Sequence, residues 1–308
     1  MATPIPARRF LPPCLLILFS VGTSPAVSGD PPDLTYRTGT SEVRLTFSAT
    51  DQNDHGVATL QASDFAVVDT GFIVRNFQSF TRSDYSKLEI AVLIDSSESM
   101  SAHVRTEIAD TLGVLAQTSG VPEESISLLS FRNGKPVGLC SGNCRISHIE
   151  DALAATKGTG LTPLYDSIVF ASELLSEHAD AHTQKALIVF SDGQDTISLK
   201  SLRDALDSAV IHNLQIYSID MNDSAGYEPG RQVLRAFAAA SGGRFFQMKD
   251  GSARALNTIL EGYRASYVVS YHLPTHARGF HTVLVLPTHN ARLQFRSRSG
   301  YYYPDYIR

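Results

Sequence analysis

Past its first 28 residues the chain has no apolar run approaching the roughly 20 residues that a membrane-spanning helix requires. It also lacks internal repeats and low-complexity tracts, so neither a solenoid nor a disordered linker fits. Cysteine is scarce, three in 308 residues, which excludes a miniature scaffold built on disulfides. Charged residues make up 19% and hydrophobic residues 43%, an ordinary globular composition with room for one large domain or two modest ones.

The commoner catalytic signatures are missing as well. There is no Gly-x-Ser-x-Gly elbow for a serine nucleophile and no glycine-rich phosphate loop closing on Lys-Ser/Thr. His178 and His182 are four apart, but a zinc-protease helix needs Glu after the first histidine and Ala179 stands there. They read as a solvated helix end, and His272, His276 and His281 read likewise as residues near a hairpin loop.

Residues 1–28 have the pattern of a secretory signal. Arg8 and Arg9 precede the apolar stretch Phe10–Val21, and Ala26-Val27-Ser28 supplies small residues for cleavage. The expected location is secreted, periplasmic or in the cell envelope, with an uncleaved anchor as the alternative. Cleavage removes two arginines and no acid, taking the formal net charge from −5 to −7. A mildly acidic surface disfavours nucleic acid and anionic membrane as partners and suits retention of a divalent cation. Cys140 and Cys144, in Cys-Ser-Gly-Asn-Cys, meet an oxidising compartment after export and can close as a disulfide. So short a loop constrains little chain entropy, and the bond would be a local staple.

Residues 29–86 read as β-rich: Val43, Leu45 and Phe47 alternate, and Phe65–Val68 and Phe72–Val74 follow between turn residues. At Leu88 the pattern changes to the nearly continuous apolar run Leu88–Ile94, as in a strand covered on both faces. Helical spacing over 101–118 comes next, then strands at 126–131, 186–191, 214–220 and 244–248. Helices at about 163–178, 199–211, 231–240 and 252–264 alternate with them. That alternation predicts a doubly wound, mostly parallel α/β sheet over residues 87–266. Residues 267–308 turn β again, and two such β pieces are each too small to bury a core. The economical arrangement inserts the α/β domain into one small β-sandwich formed by the N- and C-terminal segments.

The most specific feature is Asp95-Ser96-Ser97-Glu98-Ser99 at the end of the first buried strand. An Asp-x-Ser-x-Ser loop converges one carboxylate and two hydroxyls on a point, the oxygen donors that a hard divalent cation takes. Thr162, after a glycine-rich loop and at a helix start, and Asp192, in Ser191-Asp192-Gly193 at another strand end, fall where the topology brings the same edge together. A helix cap would explain Ser99 but leaves Thr162 and Asp192 without a role. Glu98 and Asp195 read as solvated loop acids. A phosphatase of the Asp-x-Asp type needs a second carboxylate where Ser97 stands, so no general acid is available.

The ordered set Asp95-x-Ser97-x-Ser99, Thr162 and Asp192 resembles the metal-ion-dependent adhesion site of von Willebrand factor A domains, matching at all five positions. The flanks resemble the VWFA-related Acidobacterial domain family more narrowly, through Ser63-Asp64-Phe65, Tyr267–Tyr271 and Arg298-Ser299-Gly300-Tyr301-Tyr302. The stretch around Cys140–Cys144 has no place in that pattern. The resemblance implies a Mg²⁺ site, with Mn²⁺ or Ca²⁺ as alternatives. Ser97 and Ser99 would ligate directly, Asp95 and Asp192 directly or through water, and Thr162 in one of two states. It implies no enzyme, but a protein that captures a protein partner whose Asp or Glu carboxylate completes the coordination. The alternatives are a structural or assembly role in the cell envelope with the ion always bound, and a metal-dependent hydrolase.

Overall fold

The computed structural model describes residues 42–83, 87–95, 126–132, 135–141, 161–177, 183–222 and 228–304, together with Ile108 and Gly113. Three sheets organise them. The first joins Glu42–Thr50 (β1), Ser79–Arg82 (β4), Ser266–His272 (β11) and Gln294–Ser297 (β13) in the order β13-β1-β11-β4. The second joins Phe65–Asp69 (β2), Phe72–Val74 (β3), Gly279–Pro287 (β12) and Gly300–Tyr303 (β14) in the order β14-β12-β2-β3. All their pairings are antiparallel.

The alternation in β1 buries Val43, Leu45, Phe47 and Ala49, and these meet Phe65, Val67, Val283 and Val285 of the second sheet in one core. Phe47 and Phe65 have ring centroids 4.9 Å apart across the two sheets. Strands from both ends of the chain are therefore needed to enclose this core: β1 lies between β11 and β13, with Phe47 opposite Tyr267. Inside it sits a polar knot. The fully buried Asp69 carboxylate accepts hydroxyls from Tyr271 at 2.9 Å, Tyr301 at 2.7 Å and Thr70 at 3.0 Å. His281 corrects the expectation of a solvated loop histidine: it is buried on β12, with Nδ1 3.6 Å from Asp69 and Nε2 2.7 Å from the Ala277 carbonyl. His272 and His276 are exposed as expected.

The third sheet lies in the chain between β4 and β11. It contains Lys87–Ile94 (β5), Ile126–Arg132 (β6), Lys135–Ser141 (β7), Thr183–Ser191 (β8), Leu214–Asp220 (β9) and Phe245–Gln247 (β10), ordered β10-β9-β8-β5-β6-β7. All neighbours are parallel except the β6–β7 hairpin. Four helices pack on it among the described residues: Leu164–Glu177 (α1), Leu202–Ile211 (α2), Glu228–Ser241 (α3) and Ser252–Arg264 (α4).

Both faces of β5 are covered, which explains its unbroken apolar run. Ile90, Val92 and Ile94 share one core with Ile108 and with Leu256 and Ile259 of α4. Ala91 and Leu93 share the other with Leu164, Ile168 and Ala171 of α1 and Phe237 of α3. The rest of the expected 101–118 helix lies outside the described residues, apart from Gly113, which like Ile108 is helical. Helix α2 starts three residues later than its apolar periodicity suggested, because Ser201 and Asp204 form a reciprocal capping box there.

The two parts of the chain are fastened to each other. Ser299 donates its backbone N–H to Ala240 at 2.8 Å, the Tyr302 hydroxyl donates to Asp207 at 2.8 Å, and Arg244 pairs with Asp54. Among the described residues no helix is long and apolar enough to cross a membrane.

Candidate metal centre

The strand order creates a switch point. From β5 the chain moves outward to β6 and β7, then returns to place β8 on the other side of β5. In open α/β sheets the crevice outside the carboxyl ends of two such strands is where ligands bind. In the parallel β5–β8 pair Ile94 faces Phe190, so the next residues, Asp95 and Ser191, stand side by side at that crevice.

Asp95 is 1% exposed. Its backbone N–H donates to the Phe190 carbonyl at 2.9 Å, and its Oδ2 accepts the Ser191 hydroxyl at 2.8 Å. Ser191 Oγ in turn accepts the Gly193 N–H at 3.0 Å. Asp192 is half-buried, and its Oδ1 accepts the Gln194 N–H at 2.9 Å. A carboxylate taken this far from water is costly unless donors or a cation compensate it.

Thr162 lies just ahead of α1 and is 4% exposed. Both of its backbone groups are used: its N–H donates to Thr196 Oγ1 at 2.7 Å and its carbonyl accepts the Thr196 N–H at 2.9 Å. Its hydroxyl makes no hydrogen bond among the described residues. The segment following β8 is stitched to the start of α1 throughout. Asp195 Oδ1 accepts the Tyr165 N–H at 3.2 Å and the Ser198 hydroxyl at 2.6 Å. Ser198 Oγ accepts the Asp166 N–H at 3.1 Å. Asp166 accepts the N–H groups of Leu199 and Lys200 at 3.1 and 2.8 Å. Asp195 is thus a half-buried brace and not the solvated acid its loop position suggested.

A second brace comes from α3. Gly193 has φ +78°, and a Cβ there would stand 2.1 Å from the Gly230 carbonyl oxygen, so the two backbones touch. Arg231, next in α3, donates to the fully buried Asp220 at 2.8 Å and to Glu228 at 3.2 Å. Asp220 pairs in register with Ser191, and the Met221 N–H donates to the Ser191 carbonyl at 3.2 Å. Nothing in the local pattern singles out Asp166, Thr196, Asp220 or Arg231, because their partners are distant in the chain.

Of the expected ligands, Asp95, Thr162 and Asp192 are gathered on this edge and its one stitched loop. Ser97 and Ser99 lie outside the described residues, as does Cys144. Cys140, on β7, is disulfide-bonded, with a partner outside the described residues. The donors on this edge are two carboxylates and a hydroxyl, hard oxygens that suit Mg²⁺ or a similar ion.

Residues 90–194 match the family model of the von Willebrand factor type A domain. The chain therefore carries a von Willebrand factor type A domain, and its central, mostly parallel sheet is the core of that fold. Among solved structures it is similar to an aerotolerance-related membrane protein from Bacteroides fragilis NCTC 9343, at 14% identity and a TM-score of 0.45, covering 57% of this chain and 98% of that one. It is likewise similar to BatB from Bacteroides thetaiotaomicron (13%, TM-score 0.44, covering 56% and 96%) and to the SpRpn10 VWA domain (14%, 0.42, covering 57% and 97%). No curated protein matches the chain.

Proposed function

We propose that this is an exported binding protein that captures a protein partner through a divalent cation, Mg²⁺ in the first instance, held by Asp95, Ser97, Ser99, Thr162 and Asp192. The reading rests on one observation above all: the register of β5 and β8 brings the buried Asp95 carboxylate and the Ser191-Asp192 turn to one crevice, beside the loop that holds the buried Thr162. Taking a carboxylate such as Asp95 out of water costs free energy, and a cation at the crevice would offset it. When bound, a divalent ion with one open position accepts a carboxylate from another protein.

The residues themselves hold the geometry. Ser191 donates to Asp95 and so fixes that carboxylate's orientation, Thr196 fixes Thr162, and the Gly193–Gly230 contact fixes the backbone beside Asp192. Carboxylate and hydroxyl oxygens held in fixed orientations favour ion binding, and the reading is therefore one of recognition.

Titration calorimetry with MgCl₂ and MnCl₂ on the wild type, Asp95→Asn and Thr162→Val tests the proposal. The wild type should take up one ion and Asp95→Asn should lose it. Thr162→Val should weaken uptake or partner capture while leaving the unfolding midpoint nearly unchanged, since no described residue hydrogen-bonds the hydroxyl it removes. A wild type that binds neither ion sinks the reading. So does a Thr162→Val protein that is destabilised yet binds metal normally.

A further inference from the structure

Three large apolar side chains stand in solvent on the two segments that carry Thr162 and Asp192: Leu161 (52% exposed), Ile197 (43%) and Leu199 (95%). Isolated exposed apolar residues are unremarkable on a protein surface. These three are not scattered. Leu161 and Ile197 flank the double hydrogen bond between Thr162 and Thr196, and the Leu199 N–H is held by Asp166 one helical turn further on. Nor is their exposure the result of a fraying loop. Thr196 and Ser198 contribute their side chains to the stitching, and Thr196, Leu199 and Lys200 their backbone N–H groups, so the outward direction of the apolar side chains is built in. A leucine two residues ahead of the N-cap Ser201 could have folded back onto α2, but at 95% exposure Leu199 has no such contact.

We infer that Leu161, Ile197 and Leu199 form an apolar rim that reads the residues beside the partner's carboxylate. The ligand is then a polypeptide segment presenting an Asp or Glu flanked by bulky apolar side chains. The inference rests on the ion-site reading for the carboxylate and on the rim for its neighbours. An ion alone accepts any exposed acid. Selecting one among the many on protein surfaces needs additional contact area, and apolar area next to a charged anchor supplies it. Of the other large exposed apolar residues, Ile211 stands singly at the end of α2, and the rest, including Ile73 and Leu284, lie on the sandwich, where nothing specifies an occupant.

The test uses the whole exported chain and two fluorescent nonapeptides in a glycine–serine background, one with its central aspartate flanked by leucine and one flanked by serine. Anisotropy titrations are run in magnesium buffer and in EDTA, beside calorimetry with MgCl₂ alone. The wild type should prefer the leucine-flanked peptide by about tenfold or more, and EDTA should abolish binding of both. The Ile197→Ser/Leu199→Ser protein should keep its Mg²⁺ uptake and its unfolding midpoint while losing that preference, and Leu161→Ser should lower it. Equal affinity of the wild type for the two peptides, or a preference that survives in the double variant, overturns the rim. Loss of the preference in the double variant, with binding insensitive to EDTA and no Mg²⁺ uptake by the wild type, overturns the ion site and leaves the rim supported. No binding of either peptide by a wild type that does take up Mg²⁺ overturns the rim as a reader of acidic peptides.

Discussion

Replacing Gly193 by alanine probes the brace behind Asp192. Two costs combine there. The backbone has φ +78°, where a residue with a Cβ is destabilised by about 1–2 kcal/mol. The added Cβ would also stand 2.1 Å from the Gly230 oxygen, 2.5 Å from its carbonyl carbon and 2.8 Å from its Cα. Even close carbon–oxygen contacts sit at about 3.3–3.6 Å, so the backbones must part by roughly 1.2 Å. Helix α3 is poorly placed to yield, because Arg231 in the same turn is anchored to buried Asp220. The displacement therefore falls on the Ser191–Gln194 segment, at an overpacking cost of about 1–3 kcal/mol. The expected loss is about 2–5 kcal/mol in all. Gly71→Ala is the matched control: it shares the positive φ, +86°, but has nothing within 4 Å of the new Cβ, so only the backbone cost applies. Urea unfolding should show Gly193→Ala less stable than Gly71→Ala by at least about 1 kcal/mol at similar m-values, and calorimetry should show Mg²⁺ uptake impaired only in Gly193→Ala. Equal unfolding costs with equal Mg²⁺ uptake would refute the argument that this contact sets the position of Asp192.

In the sandwich, Tyr271→Phe and Tyr301→Phe each remove a donor to the buried Asp69 carboxylate and should cost about 1.5–3 kcal/mol apiece in urea unfolding. A cost below about 0.5 kcal/mol for both would show that the knot contributes no stability. Lys185 on β8 is held by burial at a pKa of about 8, with its Nζ 3.2 Å from the Ser176 hydroxyl. Between pH 8 and about 10.5 the unfolded chain binds the proton that the folded chain has released, so wild-type stability rises with pH across that window. Lys185→Met should consequently be more stable than the wild type at pH 7, with the gap narrowing toward pH 10. A gap independent of pH would contradict the assignment.

The parts of this protein that were legible in the sequence are those whose signal is local. The runs at β5 and β8 are unbroken because both faces of those strands are covered, and β1 alternates because over Glu42–Thr46 only one face is buried. Strand β7 was not legible. Pro136 and Gly138 argue against a strand, yet β7 is the outermost strand of its sheet, where proline is tolerated. Strand β4 was missed because its four residues are mostly exposed and only pairing with β11 defines them. At the candidate site, Asp95, Thr162 and Asp192 could be singled out as a set because apolar runs and a glycine-rich loop mark the strand ends and the helix start on which they sit. Asp166, Asp195, Thr196, Asp220 and Arg231 hold that set in place through pairings across 11 to 34 positions of chain, and residue type alone does not reveal such pairings. His281 was misread for the same reason: its burial follows from Asp69 and Tyr301, which come from other strands.

The pairing of β4 with β11 also constrains the order in which the chain can assemble. Arg82 reaches the carbonyl of Arg264, 182 positions later, and β1 pairs with that same late strand. Closing a flexible loop of that length would cost about 4–5 kcal/mol of chain entropy, before any strand pairing offsets it. If the intervening sheet and helices have already formed, the two ends are delivered side by side and most of that cost has been met. Assembly then begins in the middle of the polypeptide and finishes at its ends. During synthesis, the apolar faces of β1 and β2 emerge early and stay only partly covered until β11, β12 and β13 have followed, the interval in which a chaperone would have most to do.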